Sequence, residues 1–301
     1  MSTSHISGPF YVGGMNVVSG ALAYEPRIGK TFYVDPSAGQ NGNSGEKEDD
    51  AFETTAYALT QCTAGRGDMI VLLGTETVTE TVNFNVSRVT LVSKGVGVNP
   101  LVRGEYTALL ADASFVDGPV GTVTAATRFV GVGFVSRDTD ATFFGGAALL
   151  VGGAAAGAFG VHLLACRFPK WALDNRIGVA FAGGAAVSNC TVEYCDFEGV
   201  GASFDAGIYM QGACQNINIL NNHFRQCTAA VQFGAFAGGG PHILMGHNVV
   251  EDGLTLDSQA NTATGHVFDN WSELANSAAY DASVATLQGQ GIQFSGNHYS
   301  E

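Results

Sequence analysis

Two short segments hold the side chains best placed for chemistry. EYCDFEG (193–199) carries Asp196 and Glu198, and LNNHFRQ (220–226) carries His223 and Arg225. In an extended strand, residues i and i+2 project from one face, about 6.5–7 Å apart at the backbone. Inverting glycosidases hold their acid and base carboxyls about 6.5–9.5 Å apart, so Asp196 and Glu198 meet the spacing for a hydrolytic pair acting on a sugar chain. His223 and Arg225 complete the candidate catalytic set. The same four residues also suit a cross-strand charge ladder on a solvated face, each contact worth roughly 0.2–1 kcal/mol. Arg167, Trp171, Tyr194 and Tyr209 are candidate sugar-binding residues, and Trp271 is a further available platform; each aromatic fits ordinary packing as well.

Other chemistries find no support. The six cysteines, at 62, 166, 190, 195, 214 and 227, include no Cys-x-x-Cys pair, so neither a zinc knuckle nor a redox pair is expected. They read as buried free thiols. Cys190 and Cys195, five apart, would fall on opposite faces of one extended strand. No cofactor or metal is expected. A net charge of −14, from 27 acidic and 13 basic residues, opposes a nucleic-acid groove, which needs clustered Lys and Arg. It opposes an anionic membrane surface too. The stretch from Phe143 to Cys166 is long enough to span a bilayer, but its repeated Gly pairs fit Gly-broken strands better than a transmembrane helix.

The elements that must carry these residues are short strands. Glycine is 41 of 301 residues, hydrophobic residues are 46 % and charged residues only 13 %, a composition of tight turns and buried strands rather than disorder. Six segments align without gaps on anchors Phe134, Phe168, Phe197, Phe224, Val249 and Tyr299. Their separations, 34, 29, 27, 25 and 50 residues, fit one solenoid turn each, with one further coil hidden in the last interval. Inward anchors place the residues two before them inward: Val132, Cys166, Cys195, Asn222, His247 and Asn297. The amides there would share hydrogen bonds between coils. One before the anchors, Arg167, Asp196, His223, Asn248 and His298 face out; one after, Pro169, Glu198, Arg225, Val250 and Ser300. Coils lie about 4.8 Å apart, so Arg167, Asp196 and His223 should stack, and Glu198 should meet Arg225. The stretch 86–98 is strand-like but fits no anchor.

The start of the repeat is distinctive. FYVDP (32–36), a Gly/Asn/Ser loop, the segment Asp49–Cys62 and GDMIVLLGT (67–75) follow in order. Phe52, Ala56 and Leu59 would form one apolar helical face, with Asp49 and Asp50 at the dipole's positive end. Over about residues 31–85 this resembles the opening of pectate-lyase-like β-helix proteins. The resemblance implies an all-β, right-handed parallel β-helix with a short N-terminal capping helix near residues 50–62. It implies nothing about activity, because lyases, hydrolases, adhesins and phage spikes share it. Pectate lyases resemble one another in an acidic calcium cluster beside an Arg or Lys base, and polygalacturonases in an Asp-Asp pair, a His-Gly dipeptide and an Arg-x-Lys strand. Here Asp49-Asp50 sits at the capping helix, the other polygalacturonase marks are missing, and only Lys30, Lys47, Lys94 and Lys170 are present.

Residues 1–30 show no period and read either as an arm for docking or as an N-terminal strand laid along the body; 31–301 read as one β-helix domain. No basic region followed by an apolar stretch opens the chain, so no secretory signal is expected. The last anchor lies two residues from Glu301, so a partner or second copy is expected to cover that coil. The architecture resembles bacteriophage virion β-helix proteins with a short docking arm, which implies a homotrimer bound to other virion proteins through residues 1–30 and the C-terminal coil. The resulting expectation is a non-enzymatic virion structural or adhesive protein (capsid decoration, head fibre or tail spike), with surface polysaccharide as a possible ligand. The alternatives are a polysaccharide depolymerase, glycosidase or lyase, and an extracellular adhesion module.

Overall fold

Left-handed residues set the shape of this chain. In the computed structural model, Gly131, Ala165, Tyr194, Asn221, His247, Asp269 and Gly296 all have φ between 49° and 65°. L-residues enter that region singly and at a cost, and each such residue turns the backbone sharply. Every one of them ends a strand of a ten-stranded sheet and is followed, after one buried or part-buried residue, by a strand of a nine-stranded sheet. The structure describes residues 10–12, 15–17, 29–94, 106–136 (without 113, 116 and 117), 146–170 (without 154–156), 177–199, 204–234, 241–251, 256–258, 263–273, 288 and 291–300.

Three sheets run along the axis. The first, of ten strands, extends from Thr31–Val34 to Ile292–Ser295; the second, of nine, from Glu76–Val78 to His298–Ser300; the third, of seven in line plus the short strand Ala158–Phe159 paired with Ile177–Ser188, from Val82–Phe84 to Leu256–Ser258. All their pairings are parallel, each strand bonded to its counterpart one coil away. This is the expected parallel β-helix. Phe10–Val12 and Met15–Val17 form a separate antiparallel pair outside these sheets. Residues 89–93 belong to the first sheet, which is why 86–98 fits no anchor of the second.

The interior is organised in files. In the second sheet Leu109, Phe134, Phe168, Phe197 and Phe224 are wholly buried and in register. The rings of Phe134, Phe168, Phe197 and Phe224 stack at centroid distances of 5.6, 4.8 and 4.8 Å. The file then departs from expectation. Phe224 pairs with Val250, not Val249; Val250 is buried and Val249 is 37 % exposed. The hidden coil contributes Ser272, which pairs with Val250 and Tyr299. His247 is therefore the left-handed corner residue, and the inward corner file reads Val132, Cys166, Cys195, Asn222, Asn248, Asn270 and Asn297.

At the N-terminal end Glu48–Asp50 is a 3-10 turn and helix α1 spans Thr55–Gln61, capped by the Thr54 hydroxyl accepting from Tyr57 N. The apolar face differs from the expected one: Thr55, Ala58 and Leu59 are buried, Ala56 is exposed, and Phe52 precedes the helix. Asp49 and Asp50 lie in the 3-10 turn, with no acid in α1's first turn. The rotation has a cause: buried Glu76 accepts from Thr55 N at 2.9 Å and Thr55 Oγ1 at 2.5 Å, turning Thr55 inward. The six cysteines are free, five of them buried. Cys190 and Cys195 both point inward, because each follows a left-handed residue, Asn189 or Tyr194, that resets the alternation. Within 143–166 the described residues form strands Ala147–Gly153, Ala158–Phe159 and His162–Leu164; no described helix is long and apolar enough to cross a membrane.

Candidate functional site

Parallel pairing puts Arg167 beside Asp196 and Asp196 beside His223, with Glu198 beside Arg225. Their inward neighbours Phe168, Phe197 and Phe224 are buried, so alternation turns these side chains onto the outer face of the second sheet. They form one network. The Asp196 carboxylate lies 3.5 Å from Arg167 Nη2 and 3.2 Å from Arg225 Nη2. Glu198 lies 3.4 Å from Arg167 Nη2 and 3.0 Å from Arg225 Nη2. Each carboxylate is shared between both guanidiniums. The four side chains are only 12–24 % exposed.

His223 is held in the same way. Its Nδ1 is 3.6 Å from Asp196 and its Nε2 is 2.8 Å from Glu251. Nε2 is thus bonded to a carboxylate, while Nδ1 lies just beyond hydrogen-bond distance of Asp196. Arg167 also lies over the Tyr106 ring, 4.5 Å from its centroid, a cation–π contact that fixes the guanidinium plane. Burial raises the Tyr106 phenol pKa, against the pull of Arg167. Chemically the network is a polar surface with both signs of charge, its carboxylates shared between guanidiniums while the buried Arg225 Nε has no hydrogen-bond partner among the described residues.

Glu251 and Tyr106 belong to this face but do not stand out in the sequence. Correcting the register by one residue in MGHNVVE would find Glu251, which then occupies the position of Glu198 and Arg225. Tyr106 adjoins the 95–105 stretch and has no periodic signal. On the first sheet's outer face, His162 Nε2 lies 2.7 Å from Glu193 Oε1; that bond is the main reason the Glu193 pKa is lowered. Asn248 and Val250, expected outside, are inside, and Val249 takes the outer place between His223 and Trp271.

The binding candidates separate. Arg167 is part of the network, and Tyr194 is 41 % exposed at a left-handed corner. Tyr209 is 3 % exposed, packed with Ala147, Ile177, Ala180, Ala206 and Ala229, which removes it as a platform. Trp171 lies outside the described residues. Trp271 is 37 % exposed on the second sheet. Asp50 accepts from Ser44 and serves its loop. Among the described residues no group of three or more His, Cys, Asp or Glu side chains is placed to hold a metal ion.

No family model matches this chain, and no curated protein does. Among solved structures, it is similar to native GH136 lacto-N-biosidase from Eubacterium ramulus, with TM-score 0.43 and 10 % identity over 81 % of this chain and 56 % of that one. The selenomethionine derivative of the same enzyme gives TM-score 0.35 and 10 % identity over 90 % and 67 %. The chain thus spans little more than half of the native enzyme's length. The β-helix assignment rests on the strand registers above.

Proposed function

We propose that this chain is a non-enzymatic structural and adhesive protein of a bacteriophage particle, presenting the outer face of its second sheet to surface glycans. The observation that carries the non-enzymatic part is the sharing of Asp196 and Glu198 between Arg167 and Arg225. A general acid or base needs an oxygen within hydrogen-bond reach of substrate, and here one oxygen of each carboxylate, Asp196 Oδ2 and Glu198 Oε2, is already shared by both guanidiniums. Particle attachment follows the resemblance to phage β-helix proteins with docking arms. The hairpin of Phe10–Val12 and Met15–Val17 supports it, since a lone two-stranded hairpin is marginal in water and gains from a surface to pack on. A homotrimer docked through residues 1–30 and the C-terminal coil belongs to the same proposal.

Antibody labelling of purified particles tests the location, and a chain absent from virions defeats the assignment. A polysaccharide depolymerase is the second reading, favoured by the gathering of Asp196, Glu198, His223 and Arg225 on one outward-facing strip. Incubation with bacterial surface glycans separates the two. The adhesive reading expects no new reducing ends and no unsaturated products. Release that disappears in both Asp196→Asn and Glu198→Gln would establish the depolymerase instead.

A further inference from the structure

We infer that Trp271 is the stacking platform of a subsite for a neutral pyranose, a placement that rests on the adhesive reading above. Four large apolar residues among those described are exposed: Phe159, Tyr194, Val249 and Trp271. Two of them, Val249 and Trp271, are register partners on the second sheet, and Trp271 pairs onward with exposed His298. Their chain neighbours point inward. Asn248, Val250, Asn270 and Ser272 are at most 1 % exposed, and Trp271 N donates to Asn248 O at 2.9 Å. An exposed indole on such a base loses little freedom when a ligand settles on it.

The rim supplies the polar half of the recognition. Glu251 follows Val250 at the edge of the patch, its side chain 40 % exposed, and His298 lies on the other side of Trp271. A pyranose presents a face of C–H groups ringed by hydroxyls. The indole takes the face, while the carboxylate and imidazole can bond hydroxyls. The charge argues for a neutral sugar: the chain carries −14, and the Glu251 carboxylate at the rim repels an anionic one. The size argues against a protein partner. A fully buried aromatic contributes about 150–250 Å², so the exposed parts of Trp271 and Val249 fall far below the roughly 800 Å² per side of a stable protein interface.

The chain holds two tryptophans, so 5-fluorotryptophan labelling gives two ¹⁹F resonances, assigned with Trp271→Phe. The probes are maltotriose, cellotriose and chitotriose as neutral sugars, trigalacturonate as the anionic one, and immobilised bacterial surface polysaccharide. The Trp271 resonance should shift saturably with at least one neutral trisaccharide. Trp271→Ala should weaken that binding and retention on the polysaccharide at least tenfold, and Trp271→Phe should keep part of both. Unchanged thermal midpoints establish that the variants are folded. Wild-type-like retention by Trp271→Ala, a shift confined to the Trp171 resonance, or binding of trigalacturonate alone overturns the subsite and leaves the adhesive reading standing. If the wild-type chain binds neither the trisaccharides nor the polysaccharide, the subsite and the glycan-binding reading fall together.

Discussion

Asn248 occupies a buried position where an amide does what no apolar side chain can. Its Oδ1 accepts from Asn222 N at 2.8 Å and Asn222 Nδ2 at 3.0 Å. Its Nδ2 donates to Ile219 O at 3.0 Å and Asn270 Oδ1 at 2.8 Å. Asn270 repeats the pattern with Asn297. Removing one member strands backbone and amide groups on both adjacent coils, each costing about 1–3 kcal/mol. Asn248→Ala should therefore lower stability by about 3 kcal/mol, read as a shifted urea midpoint, with Asn297→Ala, at the column's end, costing clearly less. Glu76 gives a second residue-scale prediction. Burial raises its pKa above the usual glutamate value of 4.5, against hydrogen bonds from Thr55 and with help from the Glu53 charge. The folded state then binds this proton more tightly than the unfolded chain. Its contribution to stability is full below 4.5 and is lost as pH rises through the raised folded value. Glu76→Gln should remove that loss, narrowing the difference between urea midpoints at pH 5 and pH 8. An unchanged difference would clear Glu76.

At the scale of elements, the phenylalanine stack depends on glycines in the neighbouring sheet. A Cβ at Gly207 would sit 2.6 Å from Phe224 Cδ1 and 3.0 Å from Ala230 O. One at Gly178 would sit 2.7 Å from Phe197 Cδ1 and 2.7 Å from Gly207 O. The third sheet is thus cut away where the rings press against it. Gly207→Ala should cost about 1–3 kcal/mol through overpacking. Combining it with Phe224→Leu should cost less than the sum of the two single changes in a double-mutant cycle, since one removes the other's clash. This stack was the most legible part of the fold, because Phe134, Phe168, Phe197 and Phe224 are large, periodic and set in alternating strands. The register beyond was not, since Val249 and Val250 are equally apolar and either suits an anchor. The better signal was Asn-x-anchor: Asn222, Asn248, Asn270 and Asn297 stand two before Phe224, Val250, Ser272 and Tyr299. Read that way, the sequence would also have revealed the coil of Trp271. Residue contacts on the site's face followed from the anchors where the register held, at Arg167, Asp196, Glu198, His223 and Arg225. An alignment anchored on Val249 misses Glu251.

Over the whole molecule, the interior changes character from one coil to the next. From Phe134 to Phe224 the second-sheet file is aromatic, with Val132, Cys166 and Cys195 for much of the corner file; beyond Phe224 it passes to Val250 and Ser272 before Tyr299, and the corner is entirely amide. In a solenoid each coil touches mainly its neighbours, so stability is distributed locally along the axis. Coils stacked on rings bury more apolar surface than those around Ser272 and depend less on any single hydrogen bond. Native-state hydrogen exchange should therefore grade along the molecule, slowest in strands Thr191–Glu193 and Ile217–Leu220 and faster in Thr264–Phe268 and Ile292–Ser295. Asn270→Ala sharpens the test. It removes the acceptor for Asn248 N and the donor to Asn297 Oδ1, so amides of 264–268 and 292–295 should exchange at least tenfold faster while 191–193 keep their protection. Equal acceleration everywhere would mean that the β-helix opens as one unit, with the amide column as much a part of the central coils as the phenylalanine stack.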